Sequence, residues 1–263
     1  VGFAQYAPLF VIVLAASLIH GSAGFGFSVI AIPLLSFILP VRMTVAITVF
    51  FILGYTFLIA FRFRKLIPWR MILIPLIVSV FGRAFGVFLL MNLDTAIIRL
   101  VWGVVLVLLS VYFVSISRKT RIESSSVRTT QVEPTLVEPT LAGPTLFGGI
   151  IAGLLSGIFG GMFNTGGPPL VVYFYSAFPD NRRYSAALQV TFFLGALASL
   201  VVHLAYGNIT FQVLRFVGVG MTGVLLGTFV GVQILERLAR KHLSILVYSL
   251  MALMGIIQIV KAI

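Results

Sequence analysis

The sequence predicts an all-α polytopic membrane protein made of two inverted repeats, each a re-entrant helical hairpin followed by three transmembrane helices. Three observations carry this prediction. The composition is nearly free of charge, two charge-free stretches are too long for one crossing, and the two halves resemble each other while the charges of equivalent loops are reversed.

Of the 263 residues, 60% are hydrophobic and 9% charged, and the mean hydropathy is +1.16. A soluble domain is nearer half apolar and a quarter charged. The formal charge of +12 comes from 18 Lys/Arg against 6 Asp/Glu. In a membrane chain such an excess marks cation-rich cytoplasmic loops. No basic-aromatic module accompanies it, so no nucleic-acid partner is expected. With no cysteine, disulfides, thiolate metal sites and a cysteine nucleophile are excluded. The opening VGFAQYAPLF lacks the basic n-region of a signal peptide.

Charges punctuate the chain and locate its elements. Residues 1–41 carry none, and further charge-free stretches cover 43–61, 71–93 (broken only by Arg83), 100–117, 139–179, 184–214, 216–235 and 243–260. Most suit the roughly 20 residues of a crossing helix. The first and fifth have 41 residues each, about 60 Å as helix and twice the ~30 Å hydrocarbon core, so each must bend back or break. The expected organisation is an N-terminal repeat, 1–116, with a hairpin at about 8–39 and three crossings; a linker, 117–145; and a C-terminal repeat, 146–263, with a hairpin at about 146–178 and three crossings. Within the linker VEPTLVEPTLAGPTL places Pro every fifth residue, which favours a semi-stiff extended spacer on the cytoplasmic side.

The repeat is visible in matched segments. ASLIHGSAGFGF (16–27) aligns with AGLLSGIFGGMF (152–163), putting Gly21 on Gly157 and Gly24 on Gly160, with Ile32-Pro33 on Pro168-Pro169. VAITVFFILG (45–54) aligns with AALQVTFFLG (186–195), and VFGRAFGV (80–87) with LLGTFVGV (225–232), each of the last pair bearing G-x-x-x-G, a close-packing signal. Sidedness separates two topologies. If every segment crossed once, the loop cations would divide about nine to seven; with two re-entrant hairpins they divide thirteen to three, leaving Arg42, Arg99 and Lys261 outside and Arg83 and Arg215 in or near the membrane. The positive-inside rule favours the second, which makes the repeats antiparallel and puts both termini outside a plasma (inner) membrane.

Glycines and prolines in GIFGGMFNTGGPP (157–169) fit a reversal inside the membrane, because non-helical backbone at depth survives only beside protein or a watery cavity. The tips are expected at Gly21–Gly26 and Gly160–Gly167, meeting near the midplane from opposite faces. Half-helix N-termini there would offer free N–H groups and partial positive charge to an anion.

Several residues are candidates for that site. Arg83 is the only charge deep in a span, and an intramembrane Arg usually faces the bundle interior, to hold either an anion or hairpin carbonyls. Asn164 and Thr165 lie in the second tip, and Ser22 and Ser28 flank the first, serving as hairpin caps, ligand contacts or both. The tip glycines Gly24, Gly161 and Gly166 stand beside them. Thr48 and Gln189 occupy equivalent repeat positions, near a pseudo-twofold axis or in helix–helix hydrogen bonds. His20 precedes the first tip. All six carboxylates fall in loops or span ends, so if protons drive transport, His20 or the substrate must carry them.

The paired motifs HGSAGFGFSVIAIPLL and GIFGGMFNTGGPPLVVYF, one opening each half, resemble the TauE/SafE sulfite exporter family, also called the TSUP family. The resemblance covers essentially the whole chain outside the linker. Its first motif is poorer in consecutive glycines than the usual family pattern. The resemblance implies secondary transport, most often export, of sulfite, sulfonates, sulfoacetate or related small anions by alternating access, with one half rocking against the other. The expected partners are a small anion, the lipid bilayer, and proton or sodium as coupling ion; no cofactor and no metal are expected. An anion channel is the alternative. An enzyme is disfavoured because there is no HExxH, no intramembrane carboxylate pair and no cysteine, and the absence of a P-loop argues against direct ATP drive.

Overall fold

The computed structural model describes residues 5–23, 26–126, 145–178, 180–235 and 240–262. Ten α-helices fill them: α1 Tyr6–Ala23, α2 Phe27–Leu35, α3 Val41–Arg62, α4 Trp69–Asn92, α5 Thr95–Ser126, α6 Leu146–Phe163, α7 Gly167–Ala177, α8 Asn181–Ala205, α9 Phe211–Leu235 and α10 Arg240–Val260. Six are long and apolar enough to cross a membrane: α3, α4, the first 18 residues of α5, α6, α8 and α9. The chain is therefore a multi-pass helical membrane protein.

Both long stretches break and double back. In the first half Gln5, just before α1, donates from Nε2 to the carbonyl of Ile38, just after α2, at 3.2 Å. The two ends of that hairpin thus meet. In the second half Tyr173 of α7 lies over Gly148 and Gly149 at the start of α6. The helices run further into the tips than the sequence suggests. α1 continues to Ala23 and α6 to Phe163, so Gly160 and Gly161 are helical and the second reversal is Asn164–Gly166. Asn164 makes that reversal, in the left-handed region at φ 53, while Thr165 N–H returns to the Phe159 carbonyl at 3.3 Å. Asn tolerates this conformation better than other side-chain-bearing residues. Gly26 at φ 101 does the same work before α2.

The glycines inside helices serve a different purpose, close approach. A Cβ on Gly82 would stand 3.0 Å from Gly157 Cα, and one on Gly86 3.0 Å from Gly161 Cα. Backbone therefore touches backbone along α4 and α6, and because both numbers rise together the helices are parallel. The equivalent seam joins α9 to α1: Gly223 faces Phe10, Gly227 faces Leu14 and Ser17, and Gly231 faces Leu18. Gly103 beside Ile259 and Val107 beside Gly255 show α5 and α10 running antiparallel. These extensive seams all join one half of the chain to the other, so the halves interlock rather than stand apart.

α4 shows how sequence selects its faces. Phe81, Phe85 and Phe88 are exposed on one side, while Gly82, Arg83, Gly86 and Val87 are buried on the other. An exposed phenylalanine stripe of this kind suits lipid. α5 reaches Ser126, so the first residues of the predicted linker are helical. RKTRIESSS contains no proline or glycine, and Arg, Lys and Glu are good helix formers. The proline repeat lies outside the described residues.

Candidate functional site

The two tips converge on one cavity. Its wall takes His20 from α1; Gly26, Phe27, Ser28 and Val29 from the first tip and α2; Ile52 and Tyr55 from α3; Arg83 from α4; Asn164 to Pro168 from the second tip and α7; and Phe192 from α8. The space open to water is about 40 Å³, above the ~10–15 Å³ that one water needs.

Arg83 is 3% exposed. Its Nη1 donates to the Gly160 carbonyl at 3.4 Å and to Ser199 Oγ at 3.3 Å, both long, and its Nε has no protein partner. The guanidinium is wedged between two glycines: a Cβ on Gly160 would come within 2.8 Å of Cζ, and so would one on Gly195 of α8. Glycine at both positions makes the slot. No carboxylate among the described residues lines the cavity, so this cation is left to neutral oxygens.

Asn164 ties the second tip to α3. Its Nδ2 donates to the Val45 carbonyl and to Thr48 Oγ1, each at 2.9 Å. The carbonyl of Val45 can only accept, which fixes the amide orientation and leaves Asn164 Oδ1 without a partner. Thr165 Oγ1 and both ring nitrogens of His20 are likewise buried and unpartnered. The His20 ring lies on Tyr55, with centroids 4.1 Å apart. Native proteins seldom leave so many buried polar atoms unmatched in one place, and bound water or a ligand ordinarily completes them.

The half-helix ends differ. α2 begins at Phe27 with no proline in its first turn, so the N–H groups of Phe27, Ser28 and Val29 have no helical acceptor. α7 begins Gly167-Pro168-Pro169, and its two prolines have no N–H to offer. Free first-turn amides at the tips therefore come mainly from α2.

The sequence profile of one known family, described as Sulfite exporter TauE/SafE, matches residues 9–257. The chain belongs to the TauE/SafE family. No curated protein and no solved structure matches it. The matched region of this TauE/SafE chain includes every residue of the cavity wall.

Of the residues expected from sequence, Arg83, His20, Asn164, Thr165, Gly166 and Ser28 come together on the cavity. Thr48 stands behind it, holding Asn164. Gly161 is off the wall, against the α4 backbone at Gly86. Gln189 is also off the wall, buried with Oε1 unpartnered. Ser22 lies in α1 and its side chain is outside the described residues, as is Gly24. Tyr55, Ser199 and Gly195 belong to the site, and the sequence motifs do not mark them. Helical spacing does. Tyr55 is seven residues, two turns, from Thr48, and Gly195 and Ser199 are one turn apart on the face that meets Arg83.

Proposed function

We propose that this TauE/SafE chain is a secondary transporter that exports small anions such as sulfite, sulfonates or sulfoacetate-like compounds by alternating access. The two doubled-back segments are read as re-entrant hairpins entering from opposite faces of the plasma (inner) membrane, in antiparallel repeats, with basic loops and linker cytoplasmic and both termini outside. The thirteen-to-three division of loop cations supports that orientation. So do the antiparallel contacts of α5 with α10, since repeats that pointed the same way would make equivalent helices parallel.

One observation carries the reading: a buried guanidinium, with no carboxylate partner among the described residues, faces a largely apolar cavity that also carries unpartnered polar atoms, where two broken helices meet. An isolated buried cation is costly, and an anionic solute relieves that cost while the α2 amides add favourable dipoles. The moving bodies are α1, α2 and α9 against α4, α6 and α7, because the glycine seams bind helices across the sequence halves. Proton and sodium remain the coupling-ion candidates.

The test is counterflow of labelled sulfite in proteoliposomes. Saturable exchange, abolished in a monodisperse Arg83→Ala protein, is expected. Unitary currents without saturation would make the protein a channel, and unchanged affinity in Arg83→Ala would remove Arg83 from the site.

A further inference from the structure

The cavity offers hydrogen-bond acceptors as well as donors, which a bare oxyanion cannot use. Donors come from the Arg83 guanidinium, which is held only by two long hydrogen bonds, and from the first-turn amides of α2. Acceptors come from Asn164 Oδ1, which can only accept, and Thr165 Oγ1, which can do either; a neutral His20 imidazole adds one of each. Asn164 is 8% exposed, Thr165 5% and His20 2%, so water outside the cavity does not satisfy them. Resting on the transporter reading above, we propose that the cavity selects small, singly charged oxyanions that carry a proton, the hydrogen form of a diprotic oxyacid, and that the proton crosses on the substrate.

Charge and size point the same way. Among the described residues Arg83 is the one permanent charge on the wall, matching a monoanion and leaving a dianion half compensated. The titratable groups facing the cavity are His20 from α1, Tyr55 from α3 and Arg83 from α4; α2, α7 and α8 contribute none. Among the described residues there is thus no carboxylate on the wall to relay a proton, and a substrate O–H pointing at Asn164 Oδ1 or Thr165 Oγ1 makes a relay unnecessary. A space of about 40 Å³ is about three waters' worth, enough for a pyramid of one central atom and three oxygens.

The experiment uses the full chain in proteoliposomes containing a pH dye, with protein-free vesicles as background. Sulfite is the substrate. Chlorate serves as a pyramidal monoanion without a proton, and sulfate as a dianion. The apparent affinity for total sulfite should weaken about tenfold for each pH unit above its second ionisation, while affinity in terms of hydrogensulfite stays flat. Uptake into an alkaline lumen should release about one proton per anion. Chlorate should compete about ten- to a hundredfold less well than hydrogensulfite, because it leaves a buried acceptor unpaired. Thr165→Val should narrow that gap. Saturable flux that follows the dianion, or equal competition by chlorate or sulfate, overturns the inference and leaves the transporter reading standing. Absence of saturable flux for every oxyanion, at every pH, overturns both.

Discussion

Replacing Gly195 by alanine should disable the site through a helix that supplies no charge. The added Cβ would stand 2.8 Å from Arg83 Cζ and 3.0 Å from Nη2, and closer still to Nε. Carbon atoms in good contact lie ~3.5–4.0 Å apart, so the guanidinium must retreat by about 1 Å. Gly160 blocks part of that retreat, since its own Cβ position is also 2.8 Å from Cζ. The group therefore moves toward the cavity, and its hydrogen bonds to Gly160 and Ser199, already 3.4 and 3.3 Å, are lost. A misplacement of about 1 Å in a positioning group can cost about a hundredfold, or ~2.7 kcal/mol. The assay is sulfite counterflow with a parallel thermal-stability curve. Gly54→Ala is the matched control at the equivalent repeat position: its Cβ meets Met221 Sδ at 2.9 Å and Cε at 3.2 Å, the yielding end of a thioether side chain. If Gly195→Ala keeps an affinity within twofold of Gly54→Ala, the slot does not hold Arg83 in a functional position.

Three further outcomes follow from the same geometry. Gly86→Val should prevent assembly of the α4–α6 seam, since its Cβ would overlap the Ile158 carbonyl; loss of the monodisperse peak in size-exclusion chromatography is expected, and a normal peak refutes the seam. Asn164→Ala should lower thermal stability, by about 2–3 kcal/mol from the lost tie to α3 and the unfavourable left-handed backbone; Asn164→Gly should lose less, and equal losses would show that backbone conformation contributes nothing. The chain has no native cysteine, so single cysteines at the exposed positions 42 and 182 can be labelled without background. They should react from opposite sides of the membrane, and labelling from one side contradicts antiparallel repeats.

Much of this arrangement is written in one-dimensional features. Charge spacing locates the spans because a buried charge is costly in lipid, and Arg83 stands out as the exception for the same reason. The role of the motif glycines is less legible. Glycine signals either a turn or a close approach, and sequence alone cannot choose; here Asn164 turns the chain while Gly157, Gly160 and Gly161 admit the α4 backbone and the Arg83 side chain. Tyr55 is hidden among the 24 Phe and 8 Tyr of the chain, where one more aromatic residue looks like packing. Ser199 is hidden by its size, since a small polar residue in a membrane helix most often serves helix packing. Both become informative only when the neighbour across the interface is known.

The repeats supply the cleft, and their differences supply its chemistry. Arg83 aligns with Thr228, so one equivalent position is cationic and the other neutral. The α2 end keeps its amides while Pro168 and Pro169 remove those of α7. Unpartnered acceptors come from the second tip, at Asn164 and Thr165. A symmetric site with two arginines and two full sets of amides would hold an anion more strongly, but conduction requires that binding be weak enough to permit departure. Placing the cation on one seam and the acceptors on the tip beside it gives an anion one strong anchor and several weak ones. In the proposed cycle, with the α1–α2–α9 body rocking against the α4–α6–α7 body, Arg83 would stay with Asn164 and Thr165, whereas the α2 amides would leave with α1 and α9. A bound anion would then lose its dipolar contacts while the single cation stayed behind, and this proposed route to release requires no change of protonation at Arg83.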